Sequence, residues 1–261
     1  MRSFVDQLRM VPEVARLASG TPRNTTDAWE RYWASVRTTG TQGEVLWDAD
    51  IGAEAEQYAG VLEERMDVAL PIVDVGCGNG QWTRWLAGRF PAAVGVDVAD
   101  SAVLRARAES LGVAGVSYRT LDLTSPGTGG RLHGEFGDAN VFIRGVFHVL
   151  RPKQRAQLAA NALDLVGTRG RLLLTETNYR GTPLAYMQSL GASPGRIPEP
   201  LRRAIGNIPV PGHFGAAERR AAFPARAWST LAEGRVSIEA VPMRGTAATA
   251  IPGYFAMLGA R

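Results

Sequence analysis

The chain of 261 residues has one cysteine, Cys77, and one lysine, Lys153. A lone cysteine cannot close an internal disulfide. Cys77 also lies among glycines rather than at metal-ligand spacing, which argues against both a disulfide scaffold and a structural zinc site. There are only three histidines, and no cluster of metal-ligating residues is visible. No apolar run approaches the roughly 20 residues that a membrane helix needs. Residues 1–20 carry Arg2, Asp6, Arg9 and Pro12 among their apolar positions, so they lack the uninterrupted core of a signal peptide. These absences predict a cytoplasmic chain with no membrane partner and no metal.

With 45% hydrophobic and 21% charged residues, the composition is that of a globular protein and excludes disorder, collagen and coiled coil. The formal charge is +4, carried almost entirely by arginine. The arginines are scattered. Arg202-Arg203 and Arg219-Arg220 are the nearest approach to a cluster, and neither sits in a basic run. That predicts a solvated basic surface and no nucleic-acid partner.

No internal repeat or low-complexity tract is visible. Residues 1–66 read as an N-terminal helical cover, aromatic-rich around Trp29, Tyr32 and Trp33, and residues 67–261 as the core. Phe4, Val5, Leu8 and Val11 follow helical spacing, Thr25-Thr26-Asp27 offers an N-cap, and a further helix is predicted over Ala53 to Met66. From residue 69 short apolar strands alternate with amphipathic helices. The strands are predicted at 72–75, 93–97, 116–121, 140–144 and 171–176, with helices at 81–88, 100–111 and 153–166. His133 is placed in a Gly-rich loop before the fourth strand. Residues 177–222, rich in Pro and Gly, read as a substrate lid. Residues 224–233 read as a helix, and 236–241 and 254–258 as a closing, hairpin-like pair of strands. The fold class predicted is α/β: a doubly wound, mostly parallel, Rossmann-like sheet of seven strands with a helical cover and a lid after strand five.

The first strand ends at Gly76-Cys77-Gly78-Asn79-Gly80. Glycines directly after the first strand of such a sheet let a nucleotide approach the backbone. Gln81 stands where the dinucleotide fingerprint wants a small residue, which disfavours a pyrophosphate and a nicotinamide-linked oxidoreductase. Asp97 closes the second strand, where a carboxylate can accept from both ribose hydroxyls. Asp122, between Leu121 and Leu123, can accept from an adenine amino group while the leucines hold the ring.

Together, Val73-Asp74-Val75-Gly76-Cys77-Gly78-Asn79-Gly80, Asp97, Leu121-Asp122-Leu123 and the strand Arg171 to Glu176 resemble the class I S-adenosylmethionine-dependent methyltransferases of small-molecule type. The resemblance covers roughly residues 68–176 well and the ends loosely. It implies S-adenosylmethionine as cofactor. Asp74 and the loop Gly76, Cys77, Gly78, Asn79, Gly80 would hold its methionine part, Asp97 its ribose, and Val98, Asp122 and Leu123 its adenine. The segments Trp29 to Trp33 and Val45-Leu46-Trp47-Asp48 look like the aromatic and Trp-Asp element that folds over the cofactor in methyltransferases of the thiopurine type, with Leu46 in place of their proline.

Methyl transfer from a sulfonium mainly requires alignment, and a general base helps when the nucleophile must lose a proton. His148 lies just after the fourth strand in Arg144-Gly145-Val146-Phe147-His148. This stretch resembles the segment that holds the base of aromatic and polyketide O-methyltransferases. Val149 and Leu150 replace the acidic and Trp residues that follow that histidine in the family. His148 therefore stands either as the base or as a structural, substrate-positioning residue. His213, flanked by glycines in the lid, is the alternative base. Arg144 is assigned to the cofactor, and Tyr179, Tyr186 and Phe214 to the substrate.

The fourth strand does not end in an Asn/Asp-Pro-Pro-Tyr stretch, and there is no second cysteine for covalent pyrimidine methylation. A small organic acceptor, plausibly a secondary metabolite methylated on oxygen or nitrogen, fits best. Two other readings stay open: a protein of this fold that binds the cofactor but catalyses another reaction, such as a cyclisation, and a regulatory binder without enzymatic activity. A homodimer is also left open.

Overall fold

The computed structural model describes residues 2–22, 24–243 and 248–261. Helices α1 (Arg2–Ala18), α2 (Thr25–Ser35) and α3 (Gly52–Arg65) precede the sheet. There follow β1 (Ile72–Val75), α4 (Gln81–Ala87), β2 (Ala93–Asp97), α5 (Asp100–Glu109), β3 (Val116–Thr120), α6 (Thr128–Phe136) and β4 (Asn140–Arg144). After a 3-10 turn over Phe147–Val149 come α7 (Pro152–Val166), β5 (Arg171–Thr177), α8 (Pro183–Ser189), α9 (Glu199–Asn207), α10 (Ala216–Ala222), β6 (Trp228–Ala240) and β7 (Thr249–Ala260).

The seven strands form one sheet in the order β3-β2-β1-β4-β5-β7-β6. The first five strands in that order pair in parallel, while β7 runs antiparallel to both β5 and β6. Alternation along each strand sends side chains to opposite faces. Val141 and Ile143 of β4, with Leu172 and Leu174 of β5, pack toward α7. Phe142 and Leu173 point the other way, against Tyr58, Leu62, Trp82 and Leu86 of α3 and α4. With both faces covered, strands such as Ile72-Val73-Asp74-Val75 are buried throughout.

A third layer lies over the sheet edge where the parallel strands end. Helices α1, α2, α8 and α9 share a core there, including Met10, Tyr32, Met187, Leu201 and Ile205, which Ile238 and Ile251 of the last two strands complete. Helix α2 starts from Asn24, whose side chain accepts from Thr26 N at 2.9 Å, so the cap is one residue earlier than expected. Helix α1 turns Met10, Val14 and Leu17 inward and leaves Phe4 and Leu8 65% and 55% exposed. Among the described residues no helix is long and apolar enough to cross a membrane.

The seven-stranded, mostly parallel sheet matches the expected fold class, but two local expectations are corrected. Residues 224–233 are not helical: a turn leads into β6 at Trp228, whose backbone pairs with Ala260. Helix-forming alanines there yield to sheet pairing, a tertiary override of local propensity. Residues 128–136, read as loop because of their glycines, form α6 and carry His133. Glycine is required there because a Cβ on Gly129 would lie 2.0 Å from the Asn161 carbonyl oxygen, where α6 crosses α7. The 177–222 segment is largely helical. Helices α8 and α9 cover the strand edge, whereas α10 packs on α7 at the sheet face.

Candidate active site

β1 and β4 are neighbours at the centre of the sheet, and the chain leaves them in opposite directions along it. That switch point opens a crevice beyond their carboxyl ends. A cavity of about 200 Å3 occupies it, roofed by α2, α8 and α9.

Backbone forms one wall. Gly76 and Gly78 take left-handed φ values of 75° and 53°, which disfavour any side chain. A Cβ on Gly78 would stand 2.7 Å from the Trp33 indole, and one on Gly76 2.6 Å from Val146. Asp97 lies beside them. Its Oδ2 accepts from Gly78 N and its Oδ1 from Ala99 N, each at 3.0 Å. Burial pushes the Asp97 carboxyl up, against the backbone N–H groups that favour its charged form. Val98, Leu121, Asp122 and Leu123 continue the wall. The Asp122 carboxylate accepts from Thr124 N, Thr124 Oγ1 and Ser125 Oγ, so it also holds its own turn.

Four residues of the expected cofactor set stand behind this wall rather than on it. The Asp74 carboxylate accepts from Thr83 Oγ1 at 2.6 Å, and burial raises its pKa to about 7. Cys77 packs with Val103, Ala106 and Tyr118. The Asn79 amide donates to Asp48 at 3.0 Å and to Glu109 at 3.1 Å, tying the glycine loop to the N-terminal cover and α5. The Tyr118 ring fills the space over Gly80.

Arg144 is on the cavity wall, but Glu54 of α3 receives its Nε at 2.6 Å and its Nη2 at 2.7 Å. Burial alone would lower the pKa of that guanidinium; the Glu54 carboxylate more than reverses this and holds it charged. The sequence carried no signal for Glu54, an ordinary acidic residue in the first turn of a helix.

His148 faces the same cavity. Its Nδ1 lies 2.6 Å from Oε2 of Glu176, the carboxylate near the end of β5, which is 0% exposed. Glu176 also accepts from the backbone N–H of Val146, Phe147 and His148 at 2.9, 2.7 and 3.1 Å. With that carboxylate as acceptor, the neutral imidazole keeps its proton on Nδ1 and presents the lone pair of Nε2 to the cavity. In the sequence Glu176 stands only as part of a strand. A charged residue closing the apolar run Leu172-Leu173-Leu174 was the available signal.

The remaining assignments divide. Tyr186 lines the cavity, and burial pushes its phenol up to about 12. Tyr179 and His213 line a smaller neighbouring pocket instead. Phe214 is not on either wall: it is 0% exposed and packs against Phe147, ring centroids 5.5 Å apart, in the core under α7. His133 lies away from the site, with Nε2 2.9 Å from Asp138. Among the described residues no group of His, Cys, Asp and Glu could hold a metal ion.

Residues 72–170 match a family model described as a methyltransferase domain. The chain carries a class I methyltransferase domain. A crystal structure of an S-adenosylmethionine-dependent methyltransferase from Anabaena variabilis superposes with a TM-score of 0.78 at 28% identity, over 93% of this chain and 97% of that one. A protein studied for the conversion of a disulfide bond into a thioacetal group in echinomycin biosynthesis gives 0.61 at 18% identity, over 90% and 91%. Magnesium protoporphyrin IX methyltransferase from Synechocystis gives 0.54 at 16%, over 90% and 93%. These last two show the shared methyltransferase fold alone. No curated protein sequence matches the chain. S-adenosylmethionine is the cofactor of this class, and Gly76, Gly78 and Asp97 line the cavity beyond the strand ends.

Proposed function

We propose that the protein transfers the methyl group of S-adenosylmethionine to an oxygen or nitrogen of a small, largely apolar organic molecule of secondary metabolism. The observation that carries the reading is His148, buffered by Glu176 on one side and open on the other to a cavity that also contains the glycine wall.

In this reading Gly76 and Gly78 lie along the methionine part of the cofactor, and Asp97 accepts from its ribose hydroxyls. Val98, Asp122 and Leu123 border the adenine. Arg144, held by Glu54 through Nε and Nη2, keeps Nη1 for the methionine carboxylate. Asp74, Cys77, Asn79 and Gly80 shape the loop from behind. Residues 1–66 act as a cover and α8 and α9 as the lid, with Tyr186 against the acceptor.

When bound, S-adenosylmethionine supplies an electrophilic methyl on a positively charged sulfur, which departs with the electron pair of the broken bond. The chain's own contribution is alignment and proton removal. The apolar wall, including Leu158, Met187, Leu201 and Ile205, excludes water and orients the acceptor. His148 Nε2 takes the proton that the acceptor atom loses as its bond to carbon forms. Glu176 stabilises the resulting imidazolium and fixes the plane of the ring.

A calorimetric titration with S-adenosylmethionine, S-adenosylhomocysteine and NADH tests the cofactor. Micromolar binding of both sulfur compounds without NADH is expected, followed by labelled-methyl transfer to an acceptor. Absence of binding by either sulfur compound rejects the reading, and binding without any methyl transfer favours another reaction on the same fold.

A further inference from the structure

A second cavity, of about 90 Å3, opens beside the main one, and the two share Thr177, Pro183, Tyr186 and Pro211. Their electrostatic characters differ. The charged side chains on the main wall are Asp97, Asp122 and Arg144; Arg144 is paired with Glu54 through Nε and Nη2 and its Nη1 is assigned to the cofactor's own carboxylate, so the carboxylate of an acceptor meets no free cation there. The side cavity is lined by Arg180, His213 and Tyr179, with no carboxylate on its wall. Arg180 has no ion-pair partner among the described residues.

Two buried polar atoms without a partner lie near this cavity, Nδ1 of His213, a wall residue, and Oδ1 of Asn178, which is not on the wall. Both side chains border Gly215, where an added Cβ would meet His213 Nε2 at 3.2 Å and Asn178 Oδ1 at 3.4 Å. Buried polar groups in folded proteins almost always find a partner, so the orphan Nδ1 of His213, whose Nε2 lies 3.8 Å from Glu218, points to bonding that a bound group completes on the cavity wall. The side cavity is also tied to the base. Gly212 N donates to the His148 carbonyl at 2.9 Å, which places His213 one residue beyond a fixed contact with His148.

We propose that the acceptor carries a carboxylate, which enters the side cavity and is received by Arg180 with His213 and Tyr179, while its apolar body lies in the main cavity with the methylated atom at His148. Tyr186 and Pro183, common to both walls, form the ledge across which such a molecule lies. A guanidinium offers a carboxylate two parallel donors, which sets orientation as well as affinity. The substrate class is thus an amphipathic acid with a protic group a short spacer away from its carboxylate. This inference rests on the methyltransferase reading.

The test uses the full chain saturated with S-adenosylhomocysteine. Its probes are 4-hydroxyphenylacetate, 3-(4-hydroxyphenyl)propanoate and 4-(4-hydroxyphenyl)butanoate, each beside its methyl ester. At one chain length or more the acid should bind about tenfold more tightly than its ester, the scale of a hydrogen-bonded charge. In Arg180→Ala that preference should fall to within about twofold, and Arg180→Lys should restore part of it. Arg180 is exposed, so its variants are expected to melt with the wild type. Equal binding of acids and esters, an acid preference that survives Arg180→Ala, or no binding by any acid overturns the proposal. Failure of S-adenosylhomocysteine to bind, seen before any acid is added, instead rejects the methyltransferase reading and this inference with it.

Discussion

The two halves of the cavity are built by opposite means. On the sheet side the wall is backbone and a few fixed polar groups: Gly76 and Gly78 at positive φ, and Asp97 locked by two backbone N–H groups. On the cover side it is a surface of Leu, Ile, Met and Pro side chains from α8, α9 and the segment after α9, with Trp29 and Trp33 from α2. A wall of backbone and fixed carboxylates tolerates few residue types. A wall of apolar side chains tolerates many, provided volume is kept. The sheet side is therefore suited to a constant ligand, and the cover side to one that differs between proteins of this fold.

The largest effect that would break this comparison comes from the residue between the halves. His148→Ala should lower turnover by about 10²–10⁴-fold while leaving S-adenosylhomocysteine affinity unchanged. Unchanged turnover with a confirmed acceptor removes the base and leaves alignment as the mechanism.

Asp74→Asn sharpens the sheet side. Burial raises the Asp74 pKa to about 7 from its ordinary 3.8, so the folded chain keeps a proton that the unfolded chain has lost between those values. Stability from this group is present below about pH 4 and is lost as pH rises toward 7. Relative to wild type, Asp74→Asn should therefore gain up to about 4 kcal/mol above pH 7 and nothing at pH 4. Thermal melts across that range check the sign, and a pH-independent difference refutes it.

Asp97→Asn should weaken S-adenosylhomocysteine binding by about 10- to 100-fold, the scale of hydrogen bonds to a charged group, as read by calorimetry. Intact binding would move the ribose elsewhere. The smallest effect belongs to the outer face of α1. Phe4→Ser and Leu8→Ser should change stability by no more than about 0.5 kcal/mol, because both side chains are exposed. A large loss in the melting temperature would show that this face is packed in solution.

The parallel strands β1, β2 and β4 were legible in the sequence as short apolar runs closed by Gly76, Asp97 and Gly145, and runs of that kind between amphipathic helices have few topologies. The lone helical reading among the strands, residues 224–233, failed where pairing with β7 outweighs local alanine preference. Helix α6 was hidden by its glycines, of which Gly129 permits the close crossing with α7. Within the site, His148 was visible as a histidine after β4, but Glu54 and Glu176 were not visible as the partners of Arg144 and His148. Their roles arise from contacts spanning 90 residues to Arg144 and 28 residues to His148. Phe214 looked like a lid aromatic and belongs to the core, since the chain after α9 turns down onto α7.

By itself the sequence determined the strand-and-helix alternation, the glycine loop and the acidic residue that closes β2, because these depend on backbone conformation and on chemistry local to a few residues. Only the tertiary structure decided which carboxylates lie behind the wall and which nitrogen of His148 pairs with Glu176. Those properties come from groups distant along the chain that share one buried, low-dielectric space, where each charge must find its partner.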